Sequence, residues 1–112
     1  MDRKLLHIAL RDEIDVEGTI YNAYLPNGVF TGQITDMSGS SSAGFIPSDF
    51  NEDISYWNVS SVTNMERMFN SAIIFNQNIS NWDTSSVISC ENYDVGTLEW
   101  NELFKPESQT IC

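Results

Sequence analysis

Two stretches decide the reading of this chain: Phe50-Asn-Glu-Asp-Ile54-Ser-Tyr-Trp57-Asn-Val-Ser-Ser-Val62 and Phe75-Asn-Gln-Asn-Ile79-Ser-Asn-Trp82-Asp-Thr-Ser-Ser-Val87. They align without a gap at an offset of 25 residues, with eight of thirteen positions identical, and the shared set includes a Phe, an Ile and a Trp in register. A period of this length signals stacked repeat units, none of which can bury its apolar side alone. Partial copies flank the pair. Val62-Thr63-Asn64-Met65 is echoed upstream by Ile34-Thr35-Asp36-Met37 and weakly downstream by Val87-Ile88-Ser89-Cys90. Trp100-Asn101-Glu102 starts like Phe50-Asn51-Glu52 and then degenerates. The interval from Met37 to Phe50 is longer than that from Met65 to Phe75, and the excess falls in Ser38–Gly44, a Ser/Gly tract that reads as flexible.

Each unit has a local logic. Phe50–Trp57 alternates loosely between apolar and polar, as a short half-buried strand does. Asn58-Val59-Ser60-Ser61 is turn chemistry. Thr63 and Glu66 fit a capping box, and Met65, Met68 and Phe69 fall on one face of a two-turn helix. The predicted fold is therefore mixed α/β, a short leucine-rich-repeat-like solenoid of strand–turn–short helix units. The whole of 1–112 reads as one domain: 1–33 an N-terminal cap, 34–99 about three repeats, 100–112 a C-terminal tail or cap. Within the cap, Leu5–Leu10 predicts a helix over about 3–13, and Thr19–Tyr24 with 29–34 predicts a hairpin. The predicted repeat core is Phe50, Ile54, Trp57, Val62, Met65, Met68, Phe69, Phe75, Ile79, Trp82 and Val87. Asn51 and Asn76 should lie one above the other, where Asn side chains pair in a ladder.

The repeat F-N-x-x-I-S-x-W-x-x-S-S-V-x-x-M resembles the tandem repeats of the BspA-like leucine-rich-repeat surface proteins, a bacterial family with units of about 25 residues that is in large part a domain of unknown function. Ile34–Ser38 and Val62–Met65 look like its V-T-x-M step, Phe69 like the aromatic that follows, and Phe50–Ser55 with Trp57 like its F-N-x-D-I-S-x-W step. The resemblance covers about residues 34–90 and implies cell-surface exposure, adhesion and protein binding, with no catalytic residues to carry over. The last copy departs from it, with Cys90, Tyr93 and Asp94 at the positions of Met65, Met68 and Phe69.

Composition narrows the function classes. Sixteen Asp and Glu against five Lys and Arg give a net charge of -11, which excludes a nucleic-acid partner and disfavours an anionic membrane, since both need displaced counterions. With 41% hydrophobic and 12% aromatic residues the chain is too apolar for a disordered acidic tail. No run approaches the ~20 apolar residues of a membrane span. Leu5–Leu10 is too short for a signal sequence, so the chain as given reads as cytoplasmic or as a piece of something longer. Cys90 and Cys112 read as two free thiols, Cys90 being a small core residue.

Chemistry-bearing candidates are few. His7 is the only histidine, and no nucleophile elbow accompanies it. Zinc would need four N/S ligands and the chain offers three. Asp49, Glu52 and Asp53, and the cluster Asp12, Glu13, Asp15 and Glu17, do not fit a calcium loop. Paired carboxylates for glycoside hydrolysis are decided by their separation in space. Asn58-Val-Ser60 and Asn78-Ile-Ser80 match the glycosylation acceptor pattern, a frequent triplet in so Asn/Ser-rich a chain. No catalytic, cofactor-binding or metal residue is nominated, and no cofactor is expected. The expected function is a non-enzymatic, repeat-based protein-interaction module that self-associates as a homodimer, with Trp100, Leu103, Phe104 and Ile111 at the interface and no other partner named. The alternative is a carbohydrate- or cation-binding surface built on Trp57, Trp82 and acidic side chains.

Overall fold

The computed structural model describes residues 14–16, 19–21 and 34–106. The repeats run as successive passes of chain. The first is 34–49, the second 50–74, the third 75–99, and 100–106 opens a fourth. Phe50 stacks on Phe75 with ring centroids 6.4 Å apart and planes 13° from parallel, and Trp57 on Trp82 at 6.2 Å and 10°. Asp36, Asn64 and Ser89 line up through two isolated parallel bridges. Between them the column residues close one core, which holds Phe50, Ile54, Val62, Met65, Met68, Phe69, Phe75, Ile79 and Val87, all buried.

The passes are not built of strands and helices. Among the described residues there is no α-helix. The regular elements are an antiparallel pair, β1 (Ile14–Val16) and β2 (Thr19–Tyr21), with Asp15 opposite Ile20, and one 3₁₀ turn at Glu102–Phe104. The leucine-rich-repeat-like solenoid of strand–turn–short helix units is thereby overturned. Where a helix was expected over Met65–Phe69, Arg67 sits at φ 56° and Ser71 at φ 62°, the left-handed region that ends any α-helix. The segment is instead a run of linked turns, with the N–H groups of Met68, Asn70 and Ala72 donating three residues back to the carbonyls of Met65, Arg67 and Phe69. The physical reason is competition. A two-turn helix is marginal on its own, whereas in this conformation the remaining N–H groups reach carbonyls of the neighbouring pass. The predicted strand likewise dissolves into turns: the Asp53 carboxylate accepts from Ser55 N, the Asn58 amide oxygen from Ser60 N, and Trp57 N donates to Ile54 O.

The Ser/Gly tract is held in place. Gly39 N donates to Glu66 O at 2.8 Å, then the chain doubles back over Ser40–Ala43, so that Gly44 N meets Asn70 O and Ile46 N meets Met68 O. Both glycines are needed for that approach: a Cβ on Gly39 would lie 2.3 Å from Arg67 O, and one on Gly44 2.7 Å from Met68 O. The doubling back also buries Phe45 and Ile46, which the repeat pattern did not put in the core.

At the N-terminal side β2 covers part of the strand expected over 19–24 and pairs with β1. The helix expected over 3–13, and the residues of the hairpin and cap beyond β1 and β2, lie outside the described residues.

Candidate functional site

The side of the stack formed by the third pass and residues 100–106 departs most from the repeat. Trp100, Asn101 and Phe104 keep the 25-residue register with Phe75, Asn76 and Ile79. Trp100 packs on Phe69 at 4.6 Å and edge-on to Phe75 at 5.2 Å, and its indole N–H donates to Gln77 O at 3.0 Å. Asn101 N donates to the Asn76 side-chain oxygen at 2.9 Å, as Asn76 N does to Asn51 at 2.8 Å. Ile79 N donates to Phe104 O. The reading of 100–112 as lying outside the repeats thus stops short. Trp100-Asn101, read in the sequence as the start of a further copy, holds the interval from Phe75-Asn76, and the register runs on to Phe104.

Of the nominated interface residues, Trp100 is buried within the core and Phe104 is partly buried, so neither ring lies open; Leu103 is 82% exposed, and Ile111 lies outside the described residues. Ile88, Val95 and Leu98 of the third pass are exposed as well, as are Ile73 and Ile74 at the end of the second. Asp94 takes the position of Phe69 one repeat on. Its carboxylate accepts from Lys105 Nζ at 2.9 Å, and the same ammonium donates to Glu102 at 2.6 Å and lies 5.5 Å above the Trp100 ring. Burial works against the Lys105 charge, but its hydrogen bonds to the Glu102 and Asp94 carboxylates, and their charges, outweigh it and raise its pKa. Burial, and then the charge of Asp94, push the Tyr93 hydroxyl up as well.

The backbone pairing between passes runs mostly, not wholly, one way. The N–H groups of Met65, Arg67, Phe69 and Ser71 donate to the carbonyls of Ser89, Glu91, Tyr93 and Val95, while the carbonyls of Asn64, Glu66, Met68 and Asn70 accept from the first pass. The reverse sense holds at the start of each step, where Thr63 and Asn64 N donate back to Thr35 O, and Ile88 and Ser89 N to Thr63 O.

Elsewhere the chemistry is sparse. Trp57 and Trp82 are 4% and 5% exposed and stacked on each other, so they offer no ring face for a sugar. An open groove of about 390 Å³ is lined by polar groups of two successive turns, among them Asp53, Ser55, Asn78 and Ser80. Serine hydrogen bonds hold the Asp53 and Asp83 carboxyls below the usual range. Among the described residues no three His, Cys, Asp or Glu side chains are placed to share a metal ion. His7 and the cluster Asp12, Glu13 and Glu17 lie outside them. Cys90 is buried and disulfide-bonded, which corrects the expectation of free thiols. Nor is any described helix long and apolar enough to cross a membrane.

Comparison with known proteins agrees with a repeat domain and adds no activity. No curated protein and no solved structure matches the chain. Residues 27–102, the whole of the stack described above up to its last turn, match the family model described as "Mycoplasma protein of unknown function, DUF285", and the chain belongs to that family.

Proposed function

We propose that this chain is a non-enzymatic protein-interaction module of the BspA-like surface type, and that it self-associates as a homodimer through its C-terminal side. One observation carries the reading: Ile88, Val95, Leu98 and Leu103, large apolar side chains of the last pass and the turn that follows it, are all exposed. Four exposed large apolar side chains within residues 88–103 favour a protein contact. The resemblance of the repeats to adhesion proteins supports the same class. The carbohydrate alternative loses its platform with the enclosure of Trp57 and Trp82. The net charge of -11 opposes association, but at physiological salt exposed charges are screened beyond roughly 8–10 Å.

Light scattering at physiological salt tests the reading. The expected mass is twice the 12.7 kDa of the chain, falling to the monomer in Leu98→Glu and Leu103→Glu. A monomer at high concentration in the unaltered chain refutes self-association.

A further inference from the structure

Each pass ends at the same corner of the stack. Phe50, Phe75 and Trp100 pack in succession, and Asn51, Asn76 and Asn101 are joined by their ladder, so the residues just before them fall on three successive levels. These are Ser48-Asp49, Ile73-Ile74 and Leu98-Glu99, and all six are exposed. One column therefore reads Asp49, Ile74, Glu99, an apolar residue between two carboxylates. The column beside it sets Ile73 next to Leu98. Large apolar groups exposed together mark a contact surface, and the flanking carboxylates say what it takes. The cations among the described residues are Arg67 and Lys105. Lys105 is held by Asp94 and Glu102, and among the described residues neither Asp49 nor Glu99 enters an ion pair.

A second copy of this corner would set carboxylate against carboxylate in either direction, and like charges brought together oppose binding. The corner therefore does not pair with itself. We infer that it binds an extended, basic segment of another polypeptide, in which an apolar side chain stands between two cationic ones. The inference rests on the interaction-module reading and adds a second surface with its partner's chemistry. Equivalent rings on neighbouring levels lie 6.2–6.4 Å apart, close to the ~6.7 Å between alternate side chains of an extended chain. A Lys-x-Leu-x-Lys run along the stack thus offers one side chain to each level: an ammonium to Asp49, the leucine to Ile73 and Ile74, and an ammonium to Glu99. The apolar contact supplies affinity and the paired charges supply specificity.

The probe is the synthetic peptide Lys-Ser-Leu-Ser-Lys, blocked at both ends, with Glu-Ser-Leu-Ser-Glu and Lys-Ser-Ser-Ser-Lys as controls. Each is titrated into the intact chain and into its Leu103→Glu variant, so that a homodimer does not mask the corner. Backbone amide shifts are read by NMR and mass by light scattering on the same samples. The expected result is saturable shifts at Asp49, Ile73, Ile74 and Glu99 with the first peptide alone. Binding to the double variant Asp49→Asn, Glu99→Gln is expected to be weaker by about fivefold or more. Equal binding of the acidic peptide, or undiminished binding by the double variant, overturns the inference. Absence of shifts with every peptide overturns it too; a chain that still dimerises then keeps the interaction reading, and a monomer loses both. If the chain's own Arg3, Lys4 or Arg11 holds the corner, the double variant lowers the melting temperature and the peptide moves nothing, which also overturns it.

Discussion

Trp57 and Trp82 occupy equivalent sites yet differ in one atom's surroundings. The Trp82 indole N–H donates to Ile54 O at 3.1 Å, whereas that of Trp57 is buried with no partner among the described residues. Trp82→Phe removes one of the two hydrogen bonds that the Ile54 carbonyl accepts, the other coming from Trp57 N, while Trp57→Phe removes an unpaired donor. Urea unfolding is expected to show Trp82→Phe costing about 1–2 kcal/mol more than Trp57→Phe; equal losses would mean the hydrogen bond contributes nothing. Trp82→Ala should cost about 3–5 kcal/mol, as for any large buried aromatic. Asn76 accepts one backbone N–H and anchors the next step of its ladder, so Asn76→Ala should cost about 1 kcal/mol, checked by the same melts. The pairs of equivalent residues were legible in the sequence because a 25-residue identity pins each one. The acceptor of an indole N–H was not, since it belongs to another pass.

At the scale of the element, composition and spacing pointed to the wrong local structure. Thr63, Met65, Glu66, Met68 and Phe69 satisfy every short-range rule for a capped helix, and the same residues form linked turns. Short-range rules weigh a segment alone, and here the neighbouring pass offers four carbonyls that a helix would forgo. The sign of one substitution distinguishes the two. In a helix Arg67→Gly costs about 1 kcal/mol. At φ 56° it relieves left-handed strain of about 1–2 kcal/mol, offset by the entropy a glycine adds to the unfolded chain. Thermal melts are therefore expected to show Arg67→Gly and Ser71→Gly neutral or stabilising, and Gly96→Ala destabilising. A clear loss in both glycine variants would restore the helix.

Across the whole molecule, titration should trace a plateau with two shoulders. Asp53 and Asp83 have folded-state pKa values below the ordinary one, so their contribution is present above about pH 4 and is lost as pH falls through the folded values. Tyr93 and Lys105 are raised, so theirs is present below about pH 10 and is lost as pH rises through the folded values. Lys105→Met and Tyr93→Phe should each flatten the alkaline limb of stability measured by urea melts, and an unchanged limb in both would deny these groups that role. How much of the molecule the sequence disclosed follows from where its information lies. The column positions Phe50/Phe75, Ile54/Ile79 and Trp57/Trp82 were readable because burial repeats with the period. Phe45 and Ile46 were not, because their burial depends on a doubling back at Gly39 and Gly44 that no periodicity encodes. The C-terminal side was half readable, its Asp94 seen as a lost aromatic but its ion pair with Lys105 unseen.

The repetition of the same backbone pairing from one pass to the next bears on how such chains can lengthen. The second pass meets the first with one set of backbone groups and the third with another, so a 25-residue unit added between Ala72 and Phe75 meets the same two counterparts. The molecule can thus be extended like a string of identical railway couplings, with length changing freely while Asp94, Lys105 and Trp100 still finish the train.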